Sequence, residues 1–259
     1  MNATEVRYIP RWLAAIVQEL ELERPTLVSV DDVRRLATLR PSAVRQAISE
    51  LVQLGWLRPV GVRGTYEFIP GSAAGPYPSG DPWLVLRAEL ARRPGRFHAG
   101  AQSAAWLLGY AQRPPDRHVV ITTPETRVPR GMRDVYDVLA TEPAPANKIV
   151  SGLPVPAPAE LLAEVAQLAP RLKLDSAQGW LRRLLKDTSP EEVARVLRDR
   201  GTSTRARAGY MAEVCGAKAH AEAIEALGSI GRGPYYTGDR HHHGHFSAHW
   251  RVYDTGAVA

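Results

Sequence analysis

The sequence predicts an α+β protein, with three short helices and a hairpin at the N-terminus, then a larger mixed domain with a small β-sheet and a helical bundle. Three observations lead to this prediction. Apolar residues recur at helical spacing as far as Gln53, and a two-strand pattern surrounds the glycines at 61 and 64. The run PGSAAGPYPSGDP then separates this part from the rest, because its Gly and Pro residues do not sustain a regular element.

The N-terminal elements follow in order. Pro10 suits the first turn of a helix, which we expect over about residues 10 to 23, with an apolar face formed by Leu13, Ile16, Val17 and Leu20. Ser29 is placed to cap a second helix, whose first turn carries two aspartates at the positive end of the dipole. After the turn at residues 38 to 40, Pro41 begins a third helix, and Gly55 supplies the left-handed residue that ends it.

The third helix is predicted to have one apolar and one polar face. The apolar positions are Val44, Ala47, Ile48 and Leu51, so the opposite face carries Ser42, Arg45, Gln46, Ser49 and Gln53. A DNA major groove admits one α-helix, and Arg and Gln side chains suit guanine and adenine edges. Arg40 and Ser42 lie at the helix N-terminus, where backbone amides attract a phosphate.

A hairpin completes the N-terminal part. Its strands are predicted at Trp56 to Val60 and Thr65 to Ile69, and its tip carries Arg63, placed for a minor groove or the DNA backbone. Helices, turn and hairpin together predict a winged helix-turn-helix whose partner is double-stranded DNA. The alternative is a small domain of the same shape that only docks another protein, since a polar helix face is often merely solvated.

Composition sets outer limits on function. The 259 residues carry a formal net charge of +6 and a sequence pI near 9.7, which fits an anionic partner without establishing one. Nearly all of the positive charge is Arg, as a GC-rich genome would also produce. One cysteine, Cys215, excludes an internal disulfide and fits a reducing compartment. With neither a signal peptide nor a membrane-length apolar run, we expect a soluble cytoplasmic protein with no membrane partner.

The organisation we predict is a DNA-binding domain at 1–70, a linker at 71–81 and an α+β domain at 82–259 with a His-rich C-terminal segment. In the second domain we expect a helix at 101–109 and one at about 158–168. Strands are expected at His118 to Thr122, near Val135 to Ala140 and near Lys148 to Val155. The remainder reads as helical, and Ser189 and Glu192 form a capping box. The segment WRVYD is interpreted as an added strand of this domain's sheet.

Three stretches of the chain resemble a known family. The segments FHAGAQSAAWLLGY, IVSGLPVPAPAELLAEVA and STRARAGYMAEVCG, placed after a short winged helix, are similar to the AbiEi-type antitoxins of abortive-infection, or type IV, toxin–antitoxin systems. The resemblance covers roughly residues 10 to 230, and the tail at residues 231–259 departs from it.

The resemblance implies a protein encoded beside a nucleotidyltransferase toxin. Its winged helix is expected to bind inverted or direct repeats in its own promoter and repress the operon, while the second domain contributes to neutralising the toxin. The family has no catalytic residue to carry over, so no enzymatic activity and no cofactor are expected. The alternative is a winged-helix transcriptional regulator, unrelated to a toxin, whose second domain senses a ligand or dimerises.

Two clusters of the second domain have ligand-binding chemistry. The segment RHHHGHFSAHW brings together His241, His243, His245 and His249, which are weak candidates for a metal site because the run contains neither Cys nor a carboxylate. Solvated histidines, or histidines packed on nearby aromatic rings, are the plainer interpretation. A candidate second basic surface, for flanking DNA or an acidic toxin, comprises Arg182, Arg183, Arg205 and Arg207; a solvated helix face is the alternative.

Overall fold

A computed structural model describes residues 8–37, 40–73, 80–142, 145–174, 177–241 and 244–255. The chain divides into two compact units, Met1–Pro94 with Val128–Val135, and Gly95–Arg127 with Tyr136–Ala259. Both contain helices and small sheets, so the predicted α+β class is confirmed. Within the described ranges, no helix is long and apolar enough to cross a membrane.

The described residues form helices and strands in the following order. The helices are α1 (Ala14–Glu23), α2 (Val30–Ala37), α3 (Pro41–Gln53), α4 (Leu84–Arg92), α5 (Ala101–Leu107), α6 (Arg130–Val135), α7 (Pro158–Leu168), α8 (Ala177–Lys186), α9 (Pro190–Leu197), α10 (Thr202–Val214) and α11 (Lys218–Glu225). The strands are β1 (Leu27–Ser29), β2 (Leu57–Pro59), β3 (Thr65–Phe68), β4 (Phe97–Ala99), β5 (Val119–Thr122), β6 (Asp137–Ala140), β7 (Lys148–Val150), β8 (Leu153–Val155), β9 (Tyr235–Tyr236), β10 (His245–Ser247) and β11 (Val252–Asp254).

The first unit has the element order of a winged helix-turn-helix. Helices α1, α2 and α3 enclose a core with the antiparallel sheet β1-β3-β2, in which Arg58 pairs with Glu67 across the wing strands. The core side chains from these elements are Leu13, Ile16, Val17, Leu20, Val28, Val33, Val44, Ala47, Ile48, Leu51, Trp56, Leu57 and Phe68. Strand β1 was not predicted, because three residues are too few for a visible alternation of apolar and polar positions.

Local signals set the ends of the helices as predicted. The Ser29 hydroxyl accepts a hydrogen bond from the Asp32 amide at 3.1 Å, and the Asp32 carboxylate accepts one from the Ser29 amide at 2.8 Å, which makes a reciprocal cap for α2. At the end of α3, Gly55 has a φ of 74°, and the Trp56 amide donates to the Leu51 carbonyl at 2.8 Å. This is the glycine-terminated helix end that the sequence predicted.

Helix α4 belongs to the first unit, whereas the predicted domain boundary placed its residues in the second domain. Its side chains Leu84 and Ala88 pack against Val60 and Val62 at the tip of the wing. Burial of these two apolar side chains against α4 is favourable because it removes them from water. The sequence did not predict this contact, because the segment rich in Gly and Pro between the wing and α4 indicates a domain boundary there. The linker at 71–81 stays a prediction, and residues 74–79 lie outside the described residues.

The second unit is built around α7, whose side chains are nearly all buried and which packs against α5, α8, α9 and α10. Helix α7 has the predicted bounds. Beside it, β5 pairs antiparallel with β4 and parallel with β6. The single strand predicted near Lys148 to Val155 is wrong, because β7 and β8 form an antiparallel hairpin there. Its turn has positive φ angles at Ser151 and Gly152, the geometry that closes a two-residue hairpin.

The WRVYD segment forms a strand, but the prediction that it joins the second domain's sheet is wrong. Strand β11 lies between β9 and β10 in a separate three-stranded sheet that packs on α10. The Tyr210 hydroxyl donates to Asp254 at 2.8 Å, and the Trp250 indole NH donates to Glu213 at 2.7 Å. These contacts with α10 hold the segment, and neither residue's partner could be identified from sequence spacing.

A buried carboxylate ties α7 to the junction between β4 and α5. Glu164 lies 2.7 Å from the Nε2 atom of His98, and its other oxygen accepts the backbone amide of Ala101 at 2.9 Å. Ala101 has a φ of 48°, an uncommon conformation for a residue with a side chain. The carboxylate therefore satisfies a buried imidazole and a buried amide at the first turn of α5.

The packing of Trp250 against α10 can be tested at two helical glycines, the buried Gly209 and the exposed Gly179. At Gly209 an added Cβ atom would overlap the Trp250 indole, whereas at Gly179 nothing lies within 4 Å. We expect Gly209→Ala to lower the free energy of unfolding by about 1 to 3 kcal/mol through overpacking. Gly179→Ala, the matched control, should raise it by about 0.4 to 1 kcal/mol. Urea denaturation measures the free energy of unfolding of both variants. Equal stability of the two variants would contradict the close contact between Trp250 and Gly209.

Candidate nucleic-acid interface

The polar face of α3 is the candidate reading surface. Its side chains Ser42, Arg45, Gln46, Ser49 and Gln53 are all exposed, while the four apolar side chains on the other face lie in the core. The arrangement agrees with the predicted amphipathic pattern. The structure thus brings the five polar residues proposed for base contacts onto one solvent-facing side of one helix.

One residue of this face has a partner on the same helix. The Gln46 amide nitrogen donates to the Glu50 carboxylate at 3.1 Å, one turn further along α3. Arg45 makes no ion pair with any residue in the described ranges. Because the Gln46 bond is exposed, water can replace it at little cost, so it orients the amide without blocking a new contact. Arg45 is the charge on this face with donors available for an anionic or guanine partner.

The start of α3 adds a second cation, Arg40, to Arg45 of the same helix. Arg40 precedes the first helical residue, and its carbonyl accepts the amides of Ala43 and Val44 at 2.9 and 3.1 Å. Its side chain is exposed, as is that of Ser42. No side chain caps this helix end. Pro41 has no amide hydrogen, and the Ala43 and Val44 amides already donate to the Arg40 carbonyl, so the Ser42 amide is the first-turn donor placed for an incoming anion such as phosphate.

The wing presents Arg63 at its tip. Arg63 is exposed, whereas Val60 and Val62, which precede it in the tip region, are buried against α4. Gly61 and Gly64 have φ angles of 77° and 72°, which a tight tip requires. A Cβ atom at Gly131 of α6 would lie 2.7 Å from the Gly61 carbonyl oxygen, so α6 approaches the tip closely. Contacts from α4 and α6 therefore support the loop that carries Arg63.

The arginines of α2 and of the wing strands are paired within the first unit. Arg34 and Arg35 of α2 reach Asp31 and Asp32 at 2.7 and 2.6 Å. Arg58 of the wing donates through Nε to the buried carboxylate of Glu67 at 2.8 Å. The positive charge that these elements offer to a polyanion therefore comes mainly from the three predicted contacts, Arg40, Arg45 and Arg63.

The candidate second basic surface contains arginines that hold helix ends. The Arg205 guanidinium donates to the Leu227 carbonyl, just past α11, at 2.9 Å, and Arg182 donates to the Cys215 carbonyl at the end of α10 at 3.3 Å. Arg207 donates to the Ala166 carbonyl in the last turn of α7 at 3.3 Å, and burial lowers its pKa to about 10. These carbonyls lack helical partners or lie at the negative end of a helix dipole, so each contact is stabilising.

Arg183 is exposed, and Arg182 is exposed as well although its Nε donates to the Cys215 carbonyl, so the second basic surface stays a prediction with these two residues as its accessible part. The sequence alone could not distinguish these two arginines from Arg205 and Arg207. The carbonyl partners of Arg205 and Arg207 lie 22 and 41 residues away along the chain.

The histidines do not assemble a metal site among the described residues. His241, His245 and His249 are exposed, and His249 lies 3.5 Å from Glu225 and edge-on to Trp250. No group of three or more His, Cys, Asp or Glu side chains within the described ranges is placed to hold a metal ion. His243 lies outside the described residues. Cys215 is buried, which raises the pKa of its thiol to about 11 and makes it a poor nucleophile.

The chain is similar to one known protein family and to one protein of known structure. The family model of the AbiEi antitoxin C-terminal domain matches residues 98–214, from β4 to the end of α10. A crystal structure of the RV2827C protein from Mycobacterium tuberculosis is similar with 30% sequence identity and a TM-score of 0.80. The alignment covers 97% of this chain and 94% of that chain. No protein with a curated functional description matches.

Arginines that bind helix-end carbonyls and arginines that are merely exposed should differ in their effect on the free energy of unfolding. We expect Arg205→Ala to lower the free energy of unfolding by about 1 to 3 kcal/mol, because the Leu227 carbonyl loses a charged donor. Arg183→Ala, the exposed control on α8, should change it by less than about 0.5 kcal/mol. Chemical denaturation measures both, and an unchanged stability of the Arg205 variant would leave that arginine free for a partner.

Proposed function

The chain belongs to the AbiEi-type antitoxin family, and from this premise we propose that it is a DNA-binding antitoxin that represses its own operon and counteracts a nucleotidyltransferase toxin. The observation that carries the DNA-binding half is the exposed polar face of α3, with Arg45 and Gln46 adjacent at its centre. The neutralising half draws on the match of the antitoxin domain to residues 98–214.

Helix α3 makes the contacts with DNA bases. The helix enters the major groove of repeats in the promoter, and the Arg45 guanidinium donates two hydrogen bonds to the O6 and N7 atoms of a guanine. Gln46 exchanges its bond with Glu50 for the paired donor and acceptor of an adenine edge. Ser49 and Gln53 lie further along the same face and extend the contact by one turn.

Positioning falls to the helix end and the wing. Arg40 and the backbone amide of Ser42 bind a phosphate, and Arg63 contacts the backbone or the adjacent minor groove. Such contacts supply affinity and register without reading sequence. The supported tip of the wing keeps Arg63 in place before DNA binds, which lowers the entropy lost on binding.

Repression and neutralisation use different parts of the molecule. The DNA contacts lie in the first unit, while the family match lies almost entirely in the second unit. The exposed pair Arg182 and Arg183 on α8 is a basic surface for an acidic toxin or for DNA beside the repeat. Neither role requires this protein to catalyse a reaction.

Gel-shift titration against the promoter tests the DNA contacts. We expect Arg45→Ala and Gln46→Ala to relax base preference, each by about 1 to 3 kcal/mol at the position read. Arg40→Ala and Arg63→Ala should weaken binding to all sequences and lower the salt slope by about 0.9 per lost phosphate contact. Lys148→Ala, which removes an exposed cation on β7, is the control. Wild-type affinity and specificity in all four variants would mean that the winged unit does not contact the DNA.

Co-expression with the adjacent toxin under a foreign promoter separates the two activities. We expect full-length protein to protect cells, and a full-length variant with Ala at positions 45, 46 and 63 to protect them equally, because repression is irrelevant there. Charge reversal of Arg182 and Arg183 should reduce protection if the toxin surface is acidic. An absence of protection by the wild-type protein would favour a winged-helix transcriptional regulator that controls no toxin.

A further inference from the structure

The C-terminal sheet carries a row of three aromatic rings on one face. Phe246 pairs with Tyr253, and Tyr253 pairs with Tyr236, so the three side chains lie in register across β10, β11 and β9. The ring centroids of Tyr236 and Tyr253 are 5.6 Å apart with an interplanar angle of 16°, and those of Phe246 and Tyr253 are 4.6 Å apart. The rings therefore form one continuous aromatic surface, which we call the aromatic row.

The opposite face of this sheet faces the protein interior. Val252 and Asp254 alternate with Tyr253 along β11 and are 0% and 3% exposed, and Asp254 accepts the Tyr210 hydroxyl of α10. Since successive strand residues point to opposite faces, the aromatic row points away from α10. Phe246 is 38% exposed, and both tyrosines are partly exposed.

A basic cleft lies at one end of the aromatic row. Gly238 and Thr255, each two residues beyond a ring of the row, help to line a cleft of about 840 Å³. Its cationic lining side chains are Arg171, Lys173 and Arg240, and all three are exposed, as is the imidazole of His241, which also lines the cleft. The acidic side chain in the lining, Asp239, accepts the His241 backbone amide at 3.0 Å.

We propose that the aromatic row and the basic cleft together bind a single-stranded nucleic acid, with unpaired bases stacked on Phe246, Tyr253 and Tyr236 and phosphates held by Lys173, Arg240 and Arg171. Aromatic side chains exposed on a sheet face stack bases of any sequence, and a neighbouring positive groove holds the backbone. A duplex does not fit this chemistry, because its bases are already paired and stacked. The described lining residues of the cleft carry three Arg or Lys groups and one carboxylate, and this excess of positive charge favours a polyanion over a neutral apolar partner.

Fluorescence anisotropy on the full-length protein tests the proposal, with labelled 12-mers of oligouridylate and oligothymidylate as probes. We expect saturable binding of at least one probe, and the comparison of the two separates RNA from DNA as the preferred strand. Phe246→Leu and Tyr236→Leu keep apolar bulk but remove a stacking surface, so each should weaken binding about five-fold or more. The matched controls Phe246→Tyr and Tyr236→Phe keep the ring and should bind like wild type.

The basic cleft has its own readout, independent of sheet stability. Lys173→Ala and Arg240→Ala should each lower the slope of log affinity against log salt by about 0.7. Lys218→Ala, whose side chain is 88% exposed on α11, should leave the slope unchanged. Promoter-duplex binding should be unaffected by Phe246→Leu, and 12-mer binding should survive Arg45→Ala, which separates this site from the proposed reading helix.

Two results would overturn the proposal. The first is no saturable binding of either probe by the wild-type protein, and the second is wild-type affinity in both leucine variants. If neither probe binds and the Phe246→Leu variant also loses protection against the toxin, the aromatic row is a protein-docking surface instead.

Discussion

The apolar face of α3 packs into the core of the first unit, and this burial sets the direction of every polar side chain on the opposite face. Val44, Ala47, Ile48 and Leu51 are at most 6% exposed. Full burial of a Val, Ile or Leu side chain contributes about 1.5 to 3 kcal/mol, so rotation of the helix about its axis would cost several such contributions. The exposed face that carries Arg45 is therefore fixed by hydrophobic packing before any DNA is present.

The wing depends on a similar burial in a less obvious place. Val60 and Val62 are covered by Leu84 and Ala88 of α4, and α6 closes on Gly61. A two-stranded hairpin alone is marginally stable in water, and contacts at its tip supply part of what it lacks. The same helix that the sequence assigned to the second domain thus supports the loop that presents Arg63. The proposed DNA contacts are consequently held from two sides, by the core of the trihelical part and by α4.

Much of the winged unit could be predicted from the sequence because its signals are local. The spacing of apolar residues in α3, the Ser29 cap and the left-handed Gly55 each depend on residues within one or two turns. The packing of α4 on the wing, the carbonyl partners of Arg205 and the aromatic row depend on contacts between distant segments. The hairpin of β7 and β8 was missed because Ser151 is an unusual residue for a turn position with positive φ. Local chemistry therefore predicted the reading face, while long-range packing decided which arginines stay available to a partner.

The central claim is that α3 and the wing tip, and not another basic surface, meet the promoter. Amide chemical-shift mapping of the labelled full-length protein on titration with a promoter duplex tests it most directly. We expect the largest changes at residues 40–53, which comprise α3 and its N-cap, and at residues 61–64 of the wing, with small changes around Arg182 and Arg183. Large changes around α8 with α3 and the wing tip unaffected would contradict it.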